Sequence, residues 1–267
     1  MIAVRTAPTL AEAASLLRER GAHFLAGGTL VMRAVNEGDT GIASIVRTTD
    51  RAFTEIRIAG NRIEIGAGVT MARILAHRDL AMLHPAARLI GGPAVRNAAT
   101  VGGNLFAPTP YGDFATALLA LDARVIVLEG GGRELTLTEL LAMRDRAPLV
   151  STIVLNRVAA EAFRFRKVSR VKPKGISVLS IAAWLPTSAG RVAGARIAYG
   201  AMAPTPVRAA AVERALEGRS LDAAGIAEAL RVAHEGTSPA SDAIASEWYR
   251  REVLPAHLRR LLLGEPR

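Results

Sequence analysis

Residues 96–105 read Arg96-Asn97-Ala98-Ala99-Thr100-Val101-Gly102-Gly103-Asn104-Leu105. They sit inside 91–112, a stretch rich in Gly, Pro, Asn and Thr with no clean hydrophobic period. A loop of that length inside a compact domain is usually functional. Its glycine pair has a counterpart upstream, in Leu25-Ala26-Gly27-Gly28-Thr29-Leu30. There a short strand over 23–26 runs into the glycines, and a helix is expected from about Thr29 to 36–38. Paired glycines let the backbone turn its N–H groups outward, and a missing Cβ lets an anion come close. A helix beginning at Thr29 would add its N-terminal dipole. Two such clusters suit the two phosphates of a dinucleotide, while either one alone also reads as an ordinary tight turn.

Working outward, Thr9-Leu10-Ala11-Glu12 reads as a capping box opening a helix that Gly21 stops. A strand follows at 43–47. Ile56, Ile58, Ile63 and Ile65 alternate with charges around Gly60-Asn61, the pattern of a hairpin. Helical periods follow at 71–78 and 81–90. Beyond the 91–112 loop come a helix over 113–121, a strand at 123–129, a turn at Gly130-Gly131-Gly132, a short helix at 138–143 and a strand at 149–155. A boundary falls near 156–162. After it, 163–171, 177–185 and 191–203 read as strands, the first two joined by a turn at Lys172-Pro173-Lys174-Gly175. Helical patterns at 207–217, 221–234 and 242–262 complete the chain. Alternating elements first, and strands then helices afterwards, suggest an α/β part and an α+β part.

Composition excludes several chemistries. The 267 residues contain no cysteine, so there is no disulfide, thiolate metal site, cysteine nucleophile or iron–sulfur cluster on the chain's own thiolates. No P-loop, zincin or nucleophile-elbow motif occurs, and the five histidines are scattered, so no metal site is assigned. Gly66-Ala67-Gly68 follows a strand, but a Rossmann fingerprint needs a third glycine where Met71 stands. The net charge is +10, with 34 Lys and Arg against 24 Asp and Glu. Only Lys167, Lys172 and Lys174 are lysines, so the bias is a diffuse arginine surface rather than a nucleic-acid footprint. Eleven aromatic residues offer no stacking platform for bases. No apolar run is long enough for a membrane span or a signal peptide, which makes a cytoplasmic location the expectation.

The sequence resembles the FAD-binding medium subunit of the xanthine dehydrogenase/carbon monoxide dehydrogenase family of molybdenum hydroxylases. The matching stretches are 26–29, 65–70, 96–105, 112–123, 165–167, 203–208 and 241–251, in family order over nearly the whole chain. The resemblance implies an α+β fold of three parts. Two small α/β subdomains (1–55 and 56–157) would clasp FAD in the type-2, vanillyl-alcohol-oxidase-like manner. A C-terminal α+β domain (158–267) would follow; the strand pattern gives it a three-stranded antiparallel sheet with helices. It also implies a cofactor site. Leu25, Ala26, Gly27, Gly28, Thr29 and Leu30, with Thr100, Val101, Gly102, Gly103 and Asn104, would form the two pyrophosphate loops. Asp113 would accept hydrogen bonds from ribityl or ribose hydroxyls, or else cap the 113–121 helix. Ile90 and Val150 would pack on flavin or adenine, or else fill the core. Lys167 would lie near the isoalloxazine, or else belong to a solvated basic strand. The implied role is electron transfer. A large molybdenum subunit and a small subunit with [2Fe–2S] clusters would be the partners, and FAD would pass electrons to an external acceptor. Two departures stand out: Leu30 replaces the family's usual acid, and Gly175 stands where an acid often precedes Ile176. The first keeps open a flavin-free scaffold that only docks partner chains.

Overall fold

The computed structural model describes residues 2–129, 131–171 and 175–265. Gly130 and residues 172–174, which belong to the two expected turns, lie outside the described residues.

In chain order the structure begins with β1 (Ala3–Ala7), α1 (Leu10–Leu16), β2 (Ala22–Phe24), α2 (Val31–Asn36) and β3 (Ser44–Thr48). Thr9 caps α1, its Oγ1 accepting from the Glu12 N–H at 3.2 Å. The hairpin β4 (Ile56–Ala59) and β5 (Arg62–Gly66) pairs Ile56 with Ile65 and Ile58 with Ile63 around Gly60, whose φ is +59°. That left-handed conformation is one glycine adopts without penalty. Next come α3 (Met71–Ala76), α4 (His84–Ala87), α5 (Pro93–Ala98), α6 (Val101–Leu105) and α7 (Asp113–Ala120). The stretch 91–112 is therefore not a plain loop. Pro93 opens α5 and the Thr100 side chain caps α6, two local signals that sit in segments too short to show a period. Then follow β6 (Arg124–Val127), β7 (Arg133–Thr136), α8 (Leu137–Ala142), β8 (Val150–Asn156), β9 (Phe163–Ser169), β10 (Ser177–Trp184), β11 (Thr187–Ser188), β12 (Arg191–Val192), β13 (Arg196–Gly200), β14 (Val207–Arg208), α9 (Ala210–Leu216), α10 (Ala227–Arg231) and α11 (Glu247–Leu262).

The chain forms two compact units. The first gathers Met1–Ala76, Gly92–Phe106 and Ala123–Arg157. It holds a parallel three-stranded sheet, β1-β3-β2, and a five-stranded antiparallel sheet, β4-β5-β8-β6-β7. The first sheet matches an α/β reading; the second is antiparallel throughout, built from the hairpins β4-β5 and β6-β7 with β8 paired between them, although helices connect β5 to β6 and β7 to β8.

The second unit gathers His77–Gly91, Ala107–Asp122 and Val158–Arg267. Its sheet has four antiparallel strands, β14-β13-β10-β9, which corrects the expected three. The extra strand is only Val207–Arg208, paired with Tyr199 and Ala198. Two residues carry no alternation, and the helical period of 207–217 runs over them. Pairing with β13 holds them extended, and the helix starts only at Ala210. Likewise 191–203 is not one strand, since Gly194 at φ +78° breaks it into β12 and β13. Leu179, Ile181 and Ile197 of this sheet pack against Val212, Leu254 and Leu258 of the helices. Among the described residues no helix is long and apolar enough to cross a membrane.

Tyr199 lies in this core, fully buried, and its hydroxyl has no hydrogen-bond partner among the described residues. Burial, with the Glu213 charge adding to it, pushes the phenol well above its usual range. A buried hydroxyl left unpaired costs about 1–3 kcal/mol of desolvation. Tyr199→Phe is therefore expected to keep or raise stability by about 1 kcal/mol. A urea-denaturation midpoint clearly below wild type would reveal a partner for that hydroxyl.

Candidate functional site

The first glycine cluster leaves β2 through a Leu25 N–H that donates to Val46 C=O at 2.7 Å. Gly27 is then pressed against the end of α5: a Cβ there would lie 1.9 Å from the Ala98 carbonyl oxygen. Gly28 has φ +71°. Helix α2 starts at Val31 with Leu30 as its cap residue, two residues later than the sequence suggests, because no side chain caps it. Among the described residues, the backbone N–H groups of Ala26, Gly27, Gly28, Thr29, Leu30 and Val31 donate to no protein acceptor. Successive unpaired N–H groups around a left-handed residue form a concavity suited to an anion.

The second cluster is built differently. Thr100 C=O accepts from the Asn104 N–H, and its Oγ1 accepts from the Gly103 N–H at 3.1 Å. The Val101 and Gly102 N–H groups donate to Val69 and Ala67 C=O at 2.9 and 2.8 Å. All four N–H groups from Val101 to Asn104 are thus engaged inside the protein, so the outward-turned amides expected of this pair belong to the first cluster alone. Gly102 instead serves close approach, since a Cβ there would meet the Ala67 Cβ at 2.7 Å. The clusters are mechanically linked: Gly27 rests on Ala98, and two residues later Thr100 opens α6.

In the second unit Asp113 is the first residue of α7, with Gly112 as the cap position, so its carboxylate is not an N-cap. That carboxylate is buried. Ser177 Oγ lies 2.7 and 2.9 Å from its two oxygens, and Lys167 Nζ lies 2.9 Å from Oδ2. Lys167 also donates to Leu89 C=O at 3.3 Å. Its side chain is 8% exposed, so it is not part of a solvated basic strand. Its neighbours on β9 are also committed: Arg164 donates to the Leu261 and Leu262 carbonyls and Arg166 to Glu265 C=O, covering the C-terminal end of α11. Removing one member of such a buried ion pair leaves the other uncompensated. Asp113 also borders a small opening lined by Ala107, Thr109, Pro110, Gly200 and Pro206. Ile90 and Val150 are buried in their respective units, at 8% and 3% exposure.

Three contributors escape the sequence reading. The carbonyls of Ala67 and Ala98 shape the clusters, and their only signal is that they fall within the matching stretches 65–70 and 96–105. Gly66 and Gly68 make room for the Phe53 turn, where Cβ atoms would lie 2.4 Å from the Phe53 carbonyl oxygen and ring. Ser177, at the start of a strand, carries no pattern.

Comparison with known proteins gives this geometry its context. Residues 1–159 match the family described as the FAD binding domain in molybdopterin dehydrogenase, and residues 164–264 match the CO dehydrogenase flavoprotein C-terminal domain. The glyceraldehyde dehydrogenase medium chain of Sulfolobus acidocaldarius is 26% identical over 209 residues, 74% of each chain. The nicotinate dehydrogenase FAD-subunit of Eubacterium barkeri is 27% identical over 277 residues, 96% of this chain and 93% of its own. Reconstituted CO dehydrogenase from Oligotropha carboxidovorans shares the fold, with a TM-score of 0.88 at 24% identity over 98% of this chain and 96% of that one. With more than half its length matched by the first model, the chain belongs to the family of FAD-binding domains of molybdopterin dehydrogenases.

Proposed function

We propose that this chain is the FAD-carrying, electron-transferring subunit of a molybdenum hydroxylase complex. The observation that carries the reading is the run of unpaired N–H groups from Ala26 to Val31 beside Gly27. These donors suit a pyrophosphate, which brings several acceptor oxygens and two negative charges. Gly102 and Thr100 hold the neighbouring α6 in place, and Val101, Gly103 and Asn104 complete that wall. Asp113, with acceptor capacity left on Oδ1, suits a cofactor hydroxyl. Lys167, Ile90 and Val150 are further proposed contacts, one cationic and two apolar. At position 30 leucine offers only its backbone N–H.

Bound FAD would supply the step between one-electron and two-electron chemistry. The protein's part is to hold the cofactor and set its surroundings. The proposed partners are a large molybdenum-binding subunit and a small [2Fe–2S] subunit. Support comes from the relatives named as medium chain and FAD-subunit, and from the lack of any cysteine here to hold a cluster. A cytoplasmic setting is proposed with them.

The test is the flavin content of the complex, read by fluorescence as the flavin released on denaturation. The complex is purified through this chain, incubated with excess FAD and desalted. About one flavin per chain is expected, as for a ligand well above its Kd. A complex of all three subunits that releases no flavin would refute the reading and favour a scaffold.

A further inference from the structure

Strand β10 contains an irregularity with a chemical consequence. Its pairing with β9 shifts register between Ser177 and Leu179. Leu179 and Ile181 face the apolar core shared with α11. Strict alternation would send Ser177 to the same side, where its hydroxyl would find no partner. The shift turns it the other way, onto Asp113. Bulges of this kind re-aim side chains and cluster near functional sites. The result is a three-member cluster in which Ser177 is 1% and Asp113 3% exposed, and Lys167 is the counter-ion.

We propose that Ser177 is a positioning residue for the cofactor contact at Asp113. This rests on the flavoprotein reading above. The Ser177 Oγ–H spans both carboxylate oxygens, at 2.7 and 2.9 Å, and fixes the rotation of the carboxylate plane. Lys167 then meets Oδ2, which leaves Oδ1 with room for an incoming hydroxyl. Without Ser177 the carboxylate is free to turn and to take Lys167 with either oxygen. The acceptor then has to be ordered when the cofactor binds, and that ordering opposes binding.

The experiment is an FAD titration of the full chain in its complex, stripped of flavin, followed by flavin fluorescence. The variants are Ser177→Ala, Ser177→Cys, which keeps the volume with a weak donor, and Ser177→Thr, which keeps the hydroxyl. Melting of each flavin-free protein is measured in parallel. Ser177→Ala and Ser177→Cys are expected to raise the FAD Kd about tenfold, the scale of one hydrogen bond to a charged group. Ser177→Thr is expected to recover it to within about threefold. Wild-type Kd values in both the alanine and cysteine variants overturn the proposal. So does a loss in the threonine variant equal to that in alanine, because binding would then follow packing and not the donor. A wild-type complex that takes up no flavin refutes the functional reading itself, independently of every variant.

Discussion

Gly27→Ala is expected to lose FAD retention altogether, whereas Gly103→Ala keeps it within about threefold of wild type. The contrast follows from what each new methyl group meets. At Gly27 it would lie 1.9 Å from the Ala98 carbonyl oxygen and 2.7 Å from the Ala98 carbonyl carbon. Both are backbone atoms at the end of α5, so the loop itself must move. Forced overpacking of this sort costs about 1–3 kcal/mol, occasionally more. The displacement also takes the Ala26–Val31 N–H groups off their common target. Each hydrogen bond to a charged phosphate is worth about 1.5–3 kcal/mol, and two lost bonds already weaken binding more than a hundredfold. At Gly103 the nearest atom is the Thr100 Oγ1 at 3.0 Å, on a side chain able to adjust. Gly38→Ala separates strain from site: φ is +84° and nothing lies within 4 Å, so it costs stability of about 1 kcal/mol without touching flavin. Flavin-to-protein ratio after desalting, with a melting curve for each variant, reads all three. A Gly27→Ala protein carrying one flavin would show that the first cluster does not hold the cofactor.

The importance of Gly27 and Gly102 is legible in the sequence, but for a reason only half right. Paired glycines after a strand signal close backbone approach. For Gly27 the approach is to Ala98, and the amides remain available to a ligand. For Gly102 it is to Ala67, and the amides are consumed. The sequence cannot separate these cases, because the partners are carbonyl groups that any residue supplies. Elements with a period are legible, such as the Ile56–Ile65 hairpin and the long α11. Elements without one are not. Strand β1 is an edge with a mostly exposed face, Ala3–Thr6, and offers no alternation to detect. Strand β14 is too short for any pattern. The Asp113–Lys167 contact joins residues distant in sequence; alone, Asp113 reads as a hydroxyl acceptor or a helix cap, and Lys167 as a cation near the flavin or on a solvated strand. Ser177 depends on a register shift, which is a property of two strands together.

Asp242→Asn is expected to lower the stability of the second unit at neutral pH by about 2 kcal/mol, and to do so less as the solution is acidified. Its partner Arg250, on α11, is fully buried. The guanidinium donates to the Val178 and Ala201 carbonyls and, at 2.6 Å, to Asp242 Oδ2. Those contacts tie α11 to the sheet and fix Ala201, which holds φ +60° without being glycine. Removing the carboxylate charge leaves a cation in the core with only carbonyl partners. Breaking a fully buried pair costs about 3–5 kcal/mol; the smaller figure reflects an Asp242 side chain that is 31% exposed. Burial pushes the Asp242 carboxyl upward. The Ala245 and Ile244 N–H groups and the Arg250 charge outweigh it, and the folded value lies below the usual 3.8. A carboxylate depressed on folding contributes its stability in full above its unfolded pKa and loses it as pH falls through the folded one. The wild-type advantage over Asp242→Asn is therefore complete at pH 7, and it shrinks once the pH falls below about 4. Both tryptophans, Trp184 and Trp248, lie in the second unit, so their fluorescence in urea reports this transition directly. An advantage of the same size at pH 3 and pH 7 would mean that the ionised carboxylate is not what holds Arg250.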